Sequence, residues 1–314
     1  AKEAVKNARN TLAKQIKAES SEIIFTSGAT ESINMAIKGV FDQYQIKGKH
    51  IISCETEHKA TLETLNFLES KGAEVTYLPA DQTGAVALED IEKAITKNTI
   101  LITIMWVNNE TGVIANMKAI GALAEQHQVL LMCDATQAVG KIEINLKEHH
   151  IGLMAWSAHK VYGPKGIGAL YISRKKPRVS LPTYLHGGTQ ENGLRSGTAD
   201  TPSIVGFGKA MELLNKKEEK ERIQKLSSQI ITFFKSKKAI INGSSSTPHI
   251  MNIQFPQTKA VNLLKTNKQF CFSLGSACSA DSLKPSHVLK SMGLSDQKIK
   301  SSIRISIGRF TTQK

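Results

Sequence analysis

The sequence runs to 314 residues, which at roughly 100–200 residues per domain suggests two domains or one large α/β domain with an appendage. Hydrophobic residues make up 40% and charged residues 22%, near globular averages, so disordered, collagen-like and coiled-coil chains are excluded, and no apolar run reaches the roughly 18 residues of a membrane helix. Lys and Arg number 41 against 27 Asp and Glu, a net charge of +14. Clustered, that excess attracts nucleic acid or acidic partners; here the lysines are spread out and runs such as 215–222 mix both signs, so solvated helix faces are the better reading.

Residues 1–17 carry a helical pattern with Val5, Ala8, Leu12 and Ile16 on one face, without an N-cap residue before it. Short apolar, β-rich runs follow at 22–26, 51–54, 74–77, 99–107, 129–133 and 168–172, separated by amphipathic stretches at 31–41, 60–69, 88–95 and 117–126. Such alternation predicts βαβ units and a largely parallel sheet. From about Pro202 the texture changes. A long helical segment reaches about residue 238, and strand candidates at 249–255, 269–273 and 303–307 then alternate with helices, which reads as a second, smaller domain. Residues 310–314 close no element, so the chain is expected to be a fragment of a longer one. The four cysteines, Cys54, Cys133, Cys271 and Cys278, form neither a disulfide framework nor a CxxC zinc pair. They suit a reducing compartment, and a cytoplasmic location is expected, with organelle import left open.

In open parallel sheets ligands bind beyond the carboxyl ends of the strands, so the residues following each apolar run matter most. The first run leads into Thr26-Ser27-Gly28-Ala29-Thr30-Glu31, which is either a capped turn or an anion site at a helix N-terminus. Glu57-His58-Lys59 follows the second, and a lone histidine is commonly structural. Asn108-Asn109-Glu110-Thr111-Gly112 follows the run at 99–107. Asp134 closes a strongly apolar run and, once desolvated, needs a cationic or hydrogen-bonding partner. Lys160 lies at the edge of an apolar segment, bracketed by Ser157, His159 and a Gly/Pro-rich turn. A desolvated lysine can be neutral near pH 7 and form a Schiff base. An anion loop, histidine, asparagine, aspartate and lysine in that order suit pyridoxal phosphate, which needs a phosphate cup, a carboxylate at its pyridinium nitrogen and a lysine.

Here the likeness becomes specific. The segments SGATES, TEHKA, VNNETG, DATQAVG, SAHKVYGPKGIGALY and LHGGTQENGLRSGT resemble, in order, those of the fold-type-I pyridoxal-phosphate enzymes known as cysteine desulfurases. The stretch from LGSACSADSLKPSHVL to SSIRISIGRFTT is similar to the IscS/NifS branch rather than the SufS branch. The resemblance implies a large α/β domain, 1–208, with a mainly parallel seven-stranded sheet flanked by helices. A smaller α+β C-terminal domain, 209–314, would be incomplete and carry the cysteine loop. Family members carry further segments at both ends, and the local departures are mild: Ala158 where glycine is common, Trp106 where histidine is common.

By the same resemblance, Lys160 would hold the cofactor and serve as base, and Asp134 would pair the pyridinium nitrogen. His58 would stack on the ring, with Asn109 and Gln137 on its hydroxyl side. Ala29, Thr30, Ser157 and His159 would bind the phosphate, completed by Thr198 of a neighbouring subunit, which implies a homodimer. Arg304, with Asn109, would anchor the substrate carboxylate. Cys278 sits among Gly275, Ser276, Ala277 and Ser279, which reads as a mobile loop rather than a buried site; as thiolate it would attack the sulfur of L-cysteine, leaving alanine and an enzyme persulfide. Cys54, Cys133 and Cys271 read as structural. The implied acceptors are an iron–sulfur scaffold protein and tRNA-thiolation proteins. No resident metal and no membrane partner are expected, although Cys278 would meet a transient iron–sulfur cluster at the scaffold, and direct nucleic-acid contact stays open. Two other readings compete. A selenocysteine lyase or class V aminotransferase keeps the fold, but a transaminase needs no loop thiol. An RNA-binding sulfur-carrier or scaffold module needs neither Lys160 nor Asp134.

Overall fold

The computed structural model describes residues 1–146, 148–214, 217–244, 246–267, 269, 272–274 and 285–313. The chain divides into two compact units. The first comprises Ala1–Leu78, Leu88–Trp106 and Asn116–Leu214, and the second Pro79–Ala87, Val107–Ala115 and Asn215–Lys314.

In the first unit the order is α1 (Lys2–Gln15), β1 (Ile23–Thr26), α2 (Ala29–Tyr44), β2 (His50–Cys54), α3 (Lys59–Glu69), β3 (Glu74–Leu78), α4 (Leu88–Ala94), β4 (Thr99–Thr103), α5 (Met117–Gln126), β5 (Leu130–Asp134), β6 (Leu153–Ser157), β7 (Gly168–Ile172) and α6 (Thr201–Glu212). The strands form a seven-stranded sheet in the order β1-β7-β6-β5-β4-β2-β3. The β3–β2, β2–β4, β4–β5 and β5–β6 pairs are parallel; β7 runs antiparallel to both β6 and β1. Strands β2 and β4, parallel to their neighbours, are buried along their whole length, as parallel strands covered by helices must be, and so are β6 and the antiparallel β7. Ile33, Ile37 and Val40 of α2 and Leu65 and Leu68 of α3 join Ile51, Leu101, Met132, Leu153 and Leu170 of the sheet in one apolar core. Each such side chain contributes about 1.5–3 kcal/mol when fully buried. Short polar residues start the helices. Asn116 Oδ1 accepts the Ala119 N–H at the head of α5, and Asp200 Oδ1 accepts that of Ser203 at the head of α6.

The second unit contains α7 (Lys217–Ser236), β8 (Ile240–Asn242), β9 (Ile250–Gln254), α8 (Ala260–Thr266), α9 (His287–Ser291), α10 (Asp296–Lys300) and β10 (Ser302–Ser306). Its three strands pair antiparallel in the order β10-β9-β8. Ile223 and Leu226 of α7 pack with Met251, Ile253, Ile303 and Ile305 of that sheet.

Several elements differ from the sequence reading. The run at 99–107 is a strand only to Thr103, because beyond it the pairing to β2 stops at Ile52 and Ile102. Strand β6 was not anticipated; LMAWS is a continuous apolar run whose period favours neither helix nor strand. The long helix at 202–238 is two helices, α6 and α7, one in each unit. Of the candidate at 269–273, the described residues retain an isolated bridge between Ser273 and Arg304.

Candidate active site

Strands β1, β2, β4, β5 and β6 all deliver their carboxyl ends to one edge of the large sheet. Thr26 of β1, Gly168 of β7 and Ser157 of β6 lie in one row across it. The turn after β1 therefore emerges beside the turn after β6. A Cβ added at Gly28 would come within 3.9 Å of Ser157 Oγ, while one added at Gly168 would meet Gly28 Cα at 2.6 Å. Only glycine at 168 allows that approach. Gly28 caps α2 without a side chain, so the N–H groups of Ala29 and Thr30 keep no helical acceptor. Ser157 Oγ hydrogen-bonds His159 Nδ1 at 2.7 Å. Backbone N–H groups, a hydroxyl and an imidazole thus converge on a helix N-terminus, the chemistry of an anion cradle.

His159 and Lys160 lie on a short 3-10 turn, Ala158–Val161, with both side chains reaching the surface. Desolvation of the His159 ring lowers its pKa below the usual histidine value, and the charges of Lys160 and Lys165 push the same way. His58 caps α3, its Nδ1 accepting the Ala60 N–H at 3.1 Å. The neutral ring therefore carries its proton on Nε2.

Asp134 ends β5 at 6% exposure. Its Oδ1 accepts the Thr136 N–H at 2.9 Å, and among the described residues no lysine, arginine or histidine forms an ion pair with it. The Thr136 hydroxyl beside it is buried without a hydrogen-bond partner among the described residues. A carboxylate so placed needs a cation to offset its desolvation, and a protonated ring nitrogen supplies one. Together with the anion cradle and Lys160, this donor set fits pyridoxal phosphate. Gln137, on the turn after Asp134, is half-buried, with Oε1 engaged by Lys141 Nζ.

Thr198 is exposed. Its neighbour Arg195 donates from Nε to Glu31 Oε1 at 2.8 Å, and Glu31 Oε2 accepts the Ser27 N–H at 2.7 Å. This ties the stretch before Thr198 to the turn ahead of α2. Burial would raise the Glu31 pKa, but the bonds from Arg195 and Ser27 hold it below the usual carboxylate value.

Asn109 and Arg304 belong to the second unit. Arg304, on β10, donates from Nη1 to the Asn109 carbonyl at 3.0 Å, and its backbone pairs with Ser273. Cys278 and Cys271 lie outside the described residues; Cys54 and Cys133 are buried, free thiols.

The sequence reading passed over Glu57, whose carboxyl accepts the Met105 N–H and whose pKa is pushed up to about 8 by burial and then by the Asp134 charge. An acid three residues past an apolar run was the available signal. Glu191 was also missed: its carboxylate accepts from Arg9 and from the Phe25 N–H.

Residues 1–314 match the aminotransferase class-V family. Among curated proteins, the chain is 48% identical over 318 residues to the cysteine desulfurase IscS of Buchnera aphidicola subsp. Baizongia pistaciae, covering 100% of this chain and 78% of that one. It is 46% identical over 317 residues to the cysteine desulfurase IscS of Methylococcus capsulatus, covering 99% and 78%. Among solved structures, a NifS-like protein superimposes with a TM-score of 0.91 at 34% identity, covering 99% of this chain and 84% of that one. SspA in complex with cysteine does so with a TM-score of 0.86 at 38% identity, covering 99% and 88%. With likeness running from the first residue to the last, in sequence and in fold alike, this chain belongs to the aminotransferase class-V family.

Proposed function

We propose that this protein is a pyridoxal-phosphate-dependent cysteine desulfurase, which converts L-cysteine to L-alanine and collects the sulfur as a persulfide on Cys278. The observation that carries the reading is the buried Asp134 carboxylate, lacking a cation among the described residues, on the same sheet edge as the Gly28–Ser157 cradle and Lys160. Relatives named as cysteine desulfurases, and the structural neighbour in complex with cysteine, support the substrate.

When bound, pyridoxal phosphate supplies an electron sink that acidifies the Cα proton of an amino acid. The remaining work falls to the chain. Asp134 would keep the proton on the ring nitrogen, while the Ala29 and Thr30 N–H groups, Ser157 and His159 would hold the phosphate. His58 would pack on the ring, and Asn109 and Gln137 would serve its hydroxyl side. Lys160 Nζ moves the proton at the substrate Cα, and the Arg304 guanidinium takes the substrate carboxylate. The Cys278 thiolate then attacks the substrate sulfur. An S–S bond forms and the Cβ–S bond breaks; its electron pair stays with the carbon fragment, which takes up a proton and leaves as alanine.

The persulfide passes to an iron–sulfur scaffold protein and to tRNA-thiolation proteins. The enzyme works in the cytoplasm as a homodimer, with Thr198 completing the partner's phosphate site. The likeness to relatives named cysteine desulfurase IscS supports sulfur delivery to such acceptors, the exposed Thr198 supports the exchange, and the cysteine usage supports the compartment.

The test is the absorbance spectrum of the purified protein, with alanine and sulfide assayed after adding L-cysteine and dithiothreitol. Wild type should carry the cofactor band and release both products. Cys278→Ala should keep the band and lose turnover, whereas Lys160→Ala should lose both. A band without sulfide release would leave the cofactor site standing and replace the reaction by another of the class V family.

A further inference from the structure

Glu57 is 1% exposed, lies just past the carboxyl end of β2 and directly precedes His58. Beyond the last β2–β4 pair, the chain after β4 keeps β5 on one side. Ile104 N–H donates to Met132 O at 3.2 Å, and Trp106 N–H to the Asp134 carbonyl at 3.0 Å. The Met105 N–H between them donates to Glu57 Oε1 instead. The Glu57 side chain thus replaces a missing strand neighbour. The 104–106 stretch is held by the Glu57 carboxyl at one N–H and by β5, including Asp134 itself, at the two beside it.

An amide or hydroxyl would accept that N–H without placing a second acid near Asp134, and two buried acids in proximity penalise each other's ionisation. The groups around Glu57 among the described residues include Cys54 on β2, with Sγ 3.5 Å from Oε1, Thr61 on α3, and Cys133 and Asp134 on β5. Burial raises both thiols well above their usual range, and the neighbouring acids add to it, so both stay protonated. Burial first and the Asp134 charge second push Glu57 up to about 8. It is a neutral acid at neutral pH that ionises not far above it.

We propose that Glu57 is a positioning residue of the cofactor site that acts through Asp134: it sets the backbone to which Asp134 is bonded and holds beside that carboxylate a proton whose loss adds a second negative charge. This rests on the reading that Asp134 pairs with a protonated ring nitrogen. Below the Glu57 transition the pair offers one negative charge to the ring, and above it two.

The cofactor-loaded protein tests this through pyridoxal-phosphate affinity, read from loss of the bound chromophore, in wild type and Glu57→Gln. At about pH 6.5 both chains carry a neutral group at 57 and should differ by less than about twofold. At about pH 9 wild type should bind about fivefold more tightly or better, the worth of one added charge at short range. A ratio that stays constant with pH makes Glu57 a backbone cap and overturns the proposal. Should Glu57→Gln fail to fold, infrared spectra of wild type with carbon-13-labelled glutamate give a second reading. A protonated carboxyl band should disappear as pH rises through about 8, and at lower pH in Asp134→Asn; no such band at neutral pH also overturns it. If wild type takes up no chromophore at all, the cofactor reading itself fails, whereas a chromophore with a flat ratio sinks Glu57 alone.

Discussion

Asp134 shows how one side chain can be legible and still incomplete. An aspartate closing an apolar run announces a desolvated charge in need of a partner, and the structure puts it at 6% exposure on the sheet edge. What the run does not announce is the second acid. Glu57 follows a different strand, and only the β2–β4–β5 order brings the two into one electrostatic neighbourhood. The linkage has a definite sign. The folded Glu57 pKa lies above its ordinary 4.5, at about 8. Its contribution to stability is therefore complete at low pH and is lost as pH rises through about 8. Melting of the cofactor-free wild type should fall with rising pH between the ordinary 4.5 and about 8, and the Glu57→Gln melt should run flatter over that window. Parallel melting curves for the two proteins would contradict the assignment.

Among the elements, β1 and β7 do most to shape the site. Gly168 begins β7 where its Cα faces both Gly28 and the Trp156 carbonyl, and a methyl there would sit 2.6–2.7 Å from backbone atoms that cannot swing aside. Gly168→Ala should destabilise by about 1–3 kcal/mol, the usual scale of overpacking. It should also weaken cofactor binding by spreading the cradle; denaturant melts and chromophore titration check both. The outer edge of β1 is closed differently. Arg9 Nη1 donates to the Ile23 carbonyl at 2.6 Å, and Glu191 accepts the Phe25 N–H at 2.8 Å while bridging Arg9. With its side chain 9% exposed, Glu191→Ala leaves a backbone donor and a guanidinium without that acceptor, a loss of about 1–3 kcal/mol. The Lys209–Glu212 pair, with side chains 60% and 61% exposed, sets the contrast: Glu212→Ala should change stability by less than about 0.5 kcal/mol. Equal effects from the two substitutions would undo the edge-closing role.

For the whole molecule, the proposed exchange of Thr198 between subunits carries its own prediction. If each phosphate site borrows Thr198 from its partner, Lys160→Ala and Thr198→Ala chains should each be impaired alone. Unfolded and refolded together, they should recover sulfide release, because the hybrid dimer holds one site with both residues intact. No recovery, with dimers present by sedimentation, would confine Thr198 to its own chain. The +14 net charge bears on solubility and encounter with acidic partners rather than on fold.

Read alone, the sequence determined the α/β class and the alternation of strand and helix, and it marked candidate residues for the site just past the apolar runs. Hydrophobic period and the polar residues that follow each strand are local signals, written within a dozen positions of one another. Helix α5 and strand β7 fall on the residues expected of them. Tertiary structure alone decided what depends on pairing. It set where the run from Thr99 ceases to be a strand, that LMAWS is one, and that 202–238 is two helices in two units. It also set the row of Thr26, Gly168 and Ser157, and the Glu57 carboxyl standing in for an absent strand. The physical reason is that a backbone N–H must find an acceptor wherever the fold leaves it, and which side chain lies within reach is a property of strand order.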